Sequence, residues 1–209
     1  MAKLDSKRGS QIRETYSGEK ERSVCERHGL EQVGGSNTKI DGTNGLKNAS
    51  IKNASGTSTQ VHLTTQKKFI EVMELCSESA TFINLFCGSE EIKNKNKDRY
   101  SVNEIDAIYK TAFEKFLNAN KESIIDLIIR NGFDVTHVIF NDIKNNIEYE
   151  LTYEEILDRT KNCEWKFLRG GIHLKNANGK TYFHLQREGK RNKNSRYNVL
   201  WHIHKHLFV

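Results

Sequence analysis

Hydrophobic and polar positions divide the chain into three stretches of different rhythm. Gln11 to Arg27 is charged, with apolar positions at Ile12, Tyr16 and Val24, which predicts a surface helix that Gly29 can stop. Gly34-Gly35-Ser36-Asn37 reads as a turn. Thr38–Asp41 and Leu46–Asn53 are β-capable runs around Asn44-Gly45, a good hairpin signal. After a loop at Ala54–Ser58, Gln60–Thr64 alternates as a half-buried strand should. The near-repeat from Lys47 to Gly56 is of low complexity, however, so residues 34–60 read equally well as a disordered linker.

The middle of the chain has helical spacing. Phe69, Val72, Met73 and Leu75 share one helix face, and Phe82, Ile83, Leu85 and Phe86 another. Ser101-x-x-Glu104 predicts a capping box opening a helix with Ile105, Ile108, Tyr109, Ala112, Phe113 and Phe116 along one side. Lys121–Arg130 predicts a short apolar helix closed by Asn131-Gly132. These stripes are core positions rather than a cofactor site. The last third is β-rich. Val135–Phe140 and Ile147–Leu151 read as paired strands, and Thr152-x-x-Glu155 as the cap of a short helix. Trp165–Leu168, Ile172–Leu174 and Thr181–Gln186 follow, then a basic loop from Arg187 to Arg196 and a final run, Tyr197–Phe208. The fold class is therefore α/β (mixed α+β). Residues 1–10 are expected to form a mobile tail. Residues 11–209 should form one domain, with core motifs at 11–65, a helical part at 66–132 and a β-rich part at 133–209.

Composition sharpens this. The chain has 209 residues, enough for one domain with a real core, yet only 36% are hydrophobic and 29% are charged. A net charge of +6 suits a polyanionic partner without specifying one. No apolar run can cross a bilayer, and the start of the chain is unlike a signal peptide. Cys25, Cys76, Cys87 and Cys163 form no CxxC pair, so neither structural zinc nor a disulfide framework is expected, and a reducing cytoplasm fits best.

The candidate chemistry lies in the hairpin. Alternation predicts Ile40, Ala49 and Ile51 facing the core, with Ser50 and Lys52 on the opposite side. Asp41 has the parity to join them. An acid and a lysine on one face suit phosphodiester hydrolysis. A hard cation held by oxygen ligands activates water, and an ammonium positions that water and stabilises developing charge.

These residues resemble the PD-(D/E)xK nucleases, as found in type II restriction endonucleases. Asp41 matches the first acid and Lys52 the lysine, about ten residues on; Ser50 stands where the second acid belongs. The resemblance covers roughly residues 12–65 and implies a restriction-endonuclease-like central mixed sheet flanked by helices. It implies Mg2+ held by Asp41, by the Ile51 carbonyl and by a helix carboxylate, Glu21 ahead of Glu19. It also implies support from Gln60 or His62, duplex DNA as substrate, a homodimer and a methyltransferase acting on the same site.

The basic segment near the C-terminus offers DNA contacts: Gln186, Arg187, Lys190, Arg191, Lys193, Arg196 and Tyr197. His184-Leu185-Gln186-Arg187-Glu188 could mimic a second copy of the motif, but Glu188 replaces the lysine and Gly171 stands near the place of the acid. His202, His204 and His206 share strand parity, and His184 could join them as a metal cluster. Rival readings are a non-catalytic DNA-binding protein, which Ser50 favours, and an RNA-directed nuclease or RNA binder.

Overall fold

Two five-stranded sheets and the helices between and beside them make up the fold of the computed structural model. It describes residues 18–33, 38–92, 97–168, 170–188 and 197–209. The expected tail, the turn at 34–37 and the basic loop from 189 to 196 lie outside the described residues.

The first sheet is mixed. It contains β1 (Glu31–Gln32), β2 (Gly42–Thr43), β3 (Asn48–Ala54), β5 (His137–Asp142) and β6 (Ile147–Thr152), in the order β1-β2-β3-β5-β6. Only β3 and β5 run parallel; the other neighbours are antiparallel. The second sheet is antiparallel, in the order β4 (Ser58–Thr65), β10 (Asn198–His204), β9 (Thr181–Arg187), β8 (Gly171–Lys175) and β7 (Glu164–Leu168). The strand carrying Gln60 and His62 thus leaves the hairpin's sheet and becomes an edge of the second one.

The hairpin forms for the reason its sequence suggests. Gly45 adopts φ +82°, a conformation that costs a glycine little. The Asn44 Oδ1 accepts from the Leu46 and Lys47 amides at 3.2 and 2.9 Å. Residues 38–60 are accordingly folded, and the linker reading of this part does not hold.

Helix α1 (Glu19–Arg27) lies on one face of the mixed sheet. Val24, Cys25 and Leu30 there meet Ala49, Ile51 and Ile139 in a small separate core. Its C-terminal end is pinned to β6, where Arg27 bonds Glu148 and His28 Nε2 lies 2.9 Å from the same carboxylate. The other sheet face and the inner face of the second sheet enclose the main core. Val138, Phe140, Trp165, Trp201 and Phe183 meet there with Phe82 of α3 (Ser77–Cys87), Phe113 of α4 (Ala107–Ala119) and Ile125 of α5 (Lys121–Ile129).

Two expectations need correction. Ile40 packs against the main core, not beside Ala49 and Ile51, because the short β2 begins only at Gly42 and Ile40 precedes it, outside the ladder. The Ser101–Glu104 capping box forms, but it caps a single 3-10 turn at Val102–Glu104; helix α4 starts later, with the Asp106 carboxylate accepting from the Ile108 amide. The Thr152–Glu155 box does open a helix, α6 (Tyr153–Thr160).

Candidate active site

The site grows from the place where the β2–β3 ladder stops. Gly42 pairs with Ala49, and the Asp41 amide still donates to the Ala49 carbonyl at 2.8 Å. Beyond that point β3 has no strand neighbour on this side among the described residues. The next amide to face the gap, that of Ile51, would be left unpaired, a costly state for a backbone group away from water. The Asp41 carboxylate takes over from the missing strand: its Oδ2 accepts from the Ile51 amide at 2.6 Å. The same oxygen accepts from Ser50 Oγ at 3.3 Å and from Lys52 Nζ at 3.4 Å. Ser50 and Lys52 have the same strand parity, so all three donors reach one oxygen. The Asp41–Lys52 pair is well enclosed, its side chains 19% and 15% exposed.

Glu21 completes the group from the other side of the sheet edge. Glu21, Val24 and Cys25 fall at helix positions i, i+3 and i+4, which form one face. Burying Val24 and Cys25 against β3 therefore turns Glu21 toward the same edge. Its carboxyl is pushed up to about 7, first by burial and then by the negative charge of Asp41, with the Lys52 ammonium pulling the other way. Glu19 is exposed. Helix α1 can come this close only because position 42 is glycine: a Cβ there would stand 2.7 Å from Cys25 Sγ.

This donor set suits a hard divalent cation. The Asp41 and Glu21 carboxylates feel one another's charge, and no donor among the described residues occupies Asp41 Oδ1. By the two-residue alternation of the strand, the Ile51 carbonyl faces the same gap as its amide. Such oxygen donors, few and supplemented by water, are what Mg2+ accepts. Among the described residues no group of three or more His, Cys, Asp or Glu side chains could hold a metal. A cation here would therefore rely on the backbone carbonyl and on water, with Ser50 adding no carboxylate.

Beside the pair opens a cleft of about 390 Å3, lined by Lys39, Lys52, Gln60, His62 and Asn131 among others. Gln60 is exposed at its rim, whereas His62 is buried and its imidazole is pushed down to about 4 by burial and by Lys39 and Lys68. Lys39 is the residue that sequence reasoning missed. Its ammonium donates to the Val61 carbonyl at 2.6 Å and to the Ile128 carbonyl at 2.9 Å. Burial and the neighbouring Lys52 charge bring it down to about 7, so its charge responds to any anion that enters the cleft. The only hint in the sequence was a lysine sharing the parity of Asp41 within a β-capable run.

The C-terminal candidates are placed elsewhere. The Arg187 guanidinium donates to the Tyr100 and Phe86 carbonyls at 2.7 and 3.3 Å. Tyr197 lies against Gly88, and its carbonyl accepts from the Gln66 amide at 2.8 Å. Gln186 joins a group of imidazoles on the outer face of the second sheet, its Nε2 2.9 Å from His202 Nε2. His184 Nδ1 lies 2.6 Å from His204 Nε2, and the rings of His173 and His202 stack on that of His184. Glu188, in the second motif-like segment, accepts from Asn198 Nδ2 at 2.7 Å. Lys190, Arg191, Lys193 and Arg196 lie outside the described residues.

No family model matches the chain, and no curated protein does. Among solved structures, it is similar to restriction endonuclease MspI in complex with its cognate DNA, with 10% identity and a TM-score of 0.49, covering 83% of this chain and 69% of that one. So distant a likeness assigns no residue a role. No helix among the described residues is long and apolar enough to cross a membrane.

Proposed function

We propose that this protein is a Mg2+-dependent endonuclease that hydrolyses phosphodiester bonds in duplex DNA, in the manner of the type II restriction enzymes. The observation that carries this reading is the Asp41–Lys52 contact at the open end of the β2–β3 ladder, with the Glu21 carboxyl close enough to feel both charges. Asp41, Glu21 and the Ile51 carbonyl would hold the cation. When bound, it screens phosphate charge and lowers the pKa of a coordinated water. Lys52 orients the attacking water and offers its positive charge to the oxygens that gain charge in the transition state. Ser50 keeps Asp41 in place, and Gln60 meets the DNA at the rim of the cleft. The basic residues Lys190, Arg191, Lys193 and Arg196 would supply phosphate contacts, whereas Arg187 is committed to backbone carbonyls. Two-fold symmetric sites call for a homodimer, and a methyltransferase acting on the same site would protect the cell's own DNA. The four cysteines are free, in keeping with a reducing cytoplasm.

The test is digestion of plasmid and genomic DNA with Mg2+. Discrete fragments that disappear with Asp41→Ala and with Lys52→Ala support the reading. Intact DNA under Mg2+ and Mn2+ at all enzyme concentrations refutes it. Ser50 in the place of an acid favours a second reading, a DNA-binding protein without chemistry. Sequence-selective DNA binding that survives Asp41→Ala, with no cleavage by the unaltered protein, would select it.

A further inference from the structure

Strand β4 carries an irregularity that places Lys39. Its register against β10 slips between Trp201 and His202: His62 faces Trp201 and Gln60 faces His202, so Val61 is the extra residue of a β-bulge. A bulge leaves its extra residue outside the ladder. Val61 also lies on the edge strand of its sheet, with no further strand among the described residues to receive its carbonyl. Nearby, α5 ends at Ile129, and the carbonyls of its last turn have no partners within the helix. The Ile128 carbonyl is one of them. Lys39 satisfies both, and a cation at a helix C-terminus is also favoured by the helix dipole. An ammonium has three N–H donors. Two are spent on these carbonyls; the third has no partner among the described residues, and Lys39 lines the cleft that Lys52 also lines.

We infer that Lys39 forms a second phosphate seat, which binds a non-scissile phosphate of the DNA strand next to the one held at Asp41 and Lys52. The inference rests on the nuclease reading, since a phosphodiester strand lying across Asp41 and Lys52 brings a further phosphate into the same cleft. The bulge and the end of α5 hold the ammonium rigidly, so little side-chain freedom is lost when the anion arrives. Asn131 and Gln60 offer further hydrogen bonds in the cleft. A seat of this kind reads no base. It contributes affinity and register along the strand, and its signature is electrostatic.

The experiment measures binding of a fluorescent duplex by anisotropy without divalent metal, over a range of salt concentrations, for the unaltered protein and for Lys39→Met. The expected result is weakening of about three- to tenfold, equal on all sequences, with a salt slope shallower by about one. An unchanged slope, with or without lower affinity, overturns the inference and leaves Lys39 as a tether between the sheets. Absence of duplex binding by the unaltered protein overturns the nuclease reading and the inference with it. Because Lys39→Met can also impair folding, a second measurement uses the unaltered protein. Inorganic phosphate is titrated while the lysine ammonium groups are followed by nitrogen-15 NMR. Lys39 and Lys52 signals moving with one dissociation constant support a shared anion site; a Lys39 signal that does not move overturns it.

Discussion

Replacing Gly42 with alanine tests how the site is assembled without touching any residue assigned to the chemistry. The new methyl would stand 2.7 Å from Cys25 Sγ and 3.2 and 3.3 Å from Leu30 Cβ and Cδ1. Non-bonded atoms settle at about 3.5–4.0 Å, so α1 must retreat from β2 by about 1 Å. Among the described residues the core on that face is small, consisting of Val24, Cys25, Leu30, Ala49, Ile51 and Ile139, and has little room to absorb the strain. Overpacking of this kind costs about 1–3 kcal/mol. Glu21 rides on the same helix, so the retreat also carries its carboxylate away from Asp41. Cys25→Ala in the same chain removes the closest atom. Alone it costs about 1 kcal/mol, but together with Gly42→Ala it should recover about 1–2 kcal/mol of the strain. Urea unfolding of the four proteins gives the coupling, and Mn2+ affinity by calorimetry reports the displacement of Glu21. The expected pattern is a stability loss and weaker metal binding in Gly42→Ala, both partly reversed in the double variant. If the two substitutions add to within about 0.5 kcal/mol, the close approach of α1 is not what position 42 provides.

Three further outcomes are expected. Glu21→Gln removes a half-buried carboxylate that folding pushes up to about 7, and a group raised in this way destabilises the fold increasingly as pH climbs from its ordinary value toward 7; the variant should therefore be more stable above pH 7 in EDTA by about 1–2 kcal/mol, after allowance for its solvent-facing part, while cleavage falls by tenfold or more. Equal or lower stability in melts with EDTA would show that the glutamate is not strained. Ser50→Ala should cost about 1 kcal/mol in urea unfolding and leave cleavage within a few-fold, since the Ile51 amide and Lys52 still hold Asp41; complete loss of activity in a folded variant would make the hydroxyl a direct participant. His62, His173, His202 and His204 are held down, chiefly by burial, to about 4, 4, 4 and 3. The folded chain then binds fewer protons than the unfolded one below the ordinary imidazole value, so stability is full above about pH 6.5 and falls on acidification. The slope approaches about 1.4 kcal/mol per pH unit for each fully protected imidazole and less for these partly exposed ones. A flat melting temperature between pH 6.5 and 5, where carboxylates still carry charge, would refute this.

Local rules sufficed for much of the chain. The Asn44-Gly45 turn, the cap at Thr152, the apolar stripes of α3 and α5 and the pairing of β5 with β6 all depend on residues close in sequence, so composition and period reveal them; the stripe of α4 is only partly as expected, since Ile108 faces solvent and Asp106, not Ser101, caps the helix. The acid and the lysine of the hairpin were legible for the same reason: eleven positions and one turn separate them, and strand alternation puts them on one side.

What the sequence could not decide concerns partners far apart in the chain. Whether 38–60 was a linker or a hairpin depended on β5, whose parallel pairing with β3 comes from 88 residues further on. The sheet to which Gln60 and His62 belong was decided by β10, at the other end of the chain. Arg187 was read as a DNA contact from its basic surroundings, and its guanidinium is committed to backbone carbonyls 87 and 101 positions earlier. Lys39 carried no local mark beyond its parity with Asp41, because its two acceptors exist only once β4 bulges and α5 ends beside it. Unpaired backbone groups are products of tertiary packing, and the side chains that answer them, Asp41 at the end of a ladder and Lys39 at a bulge, acquire their meaning there.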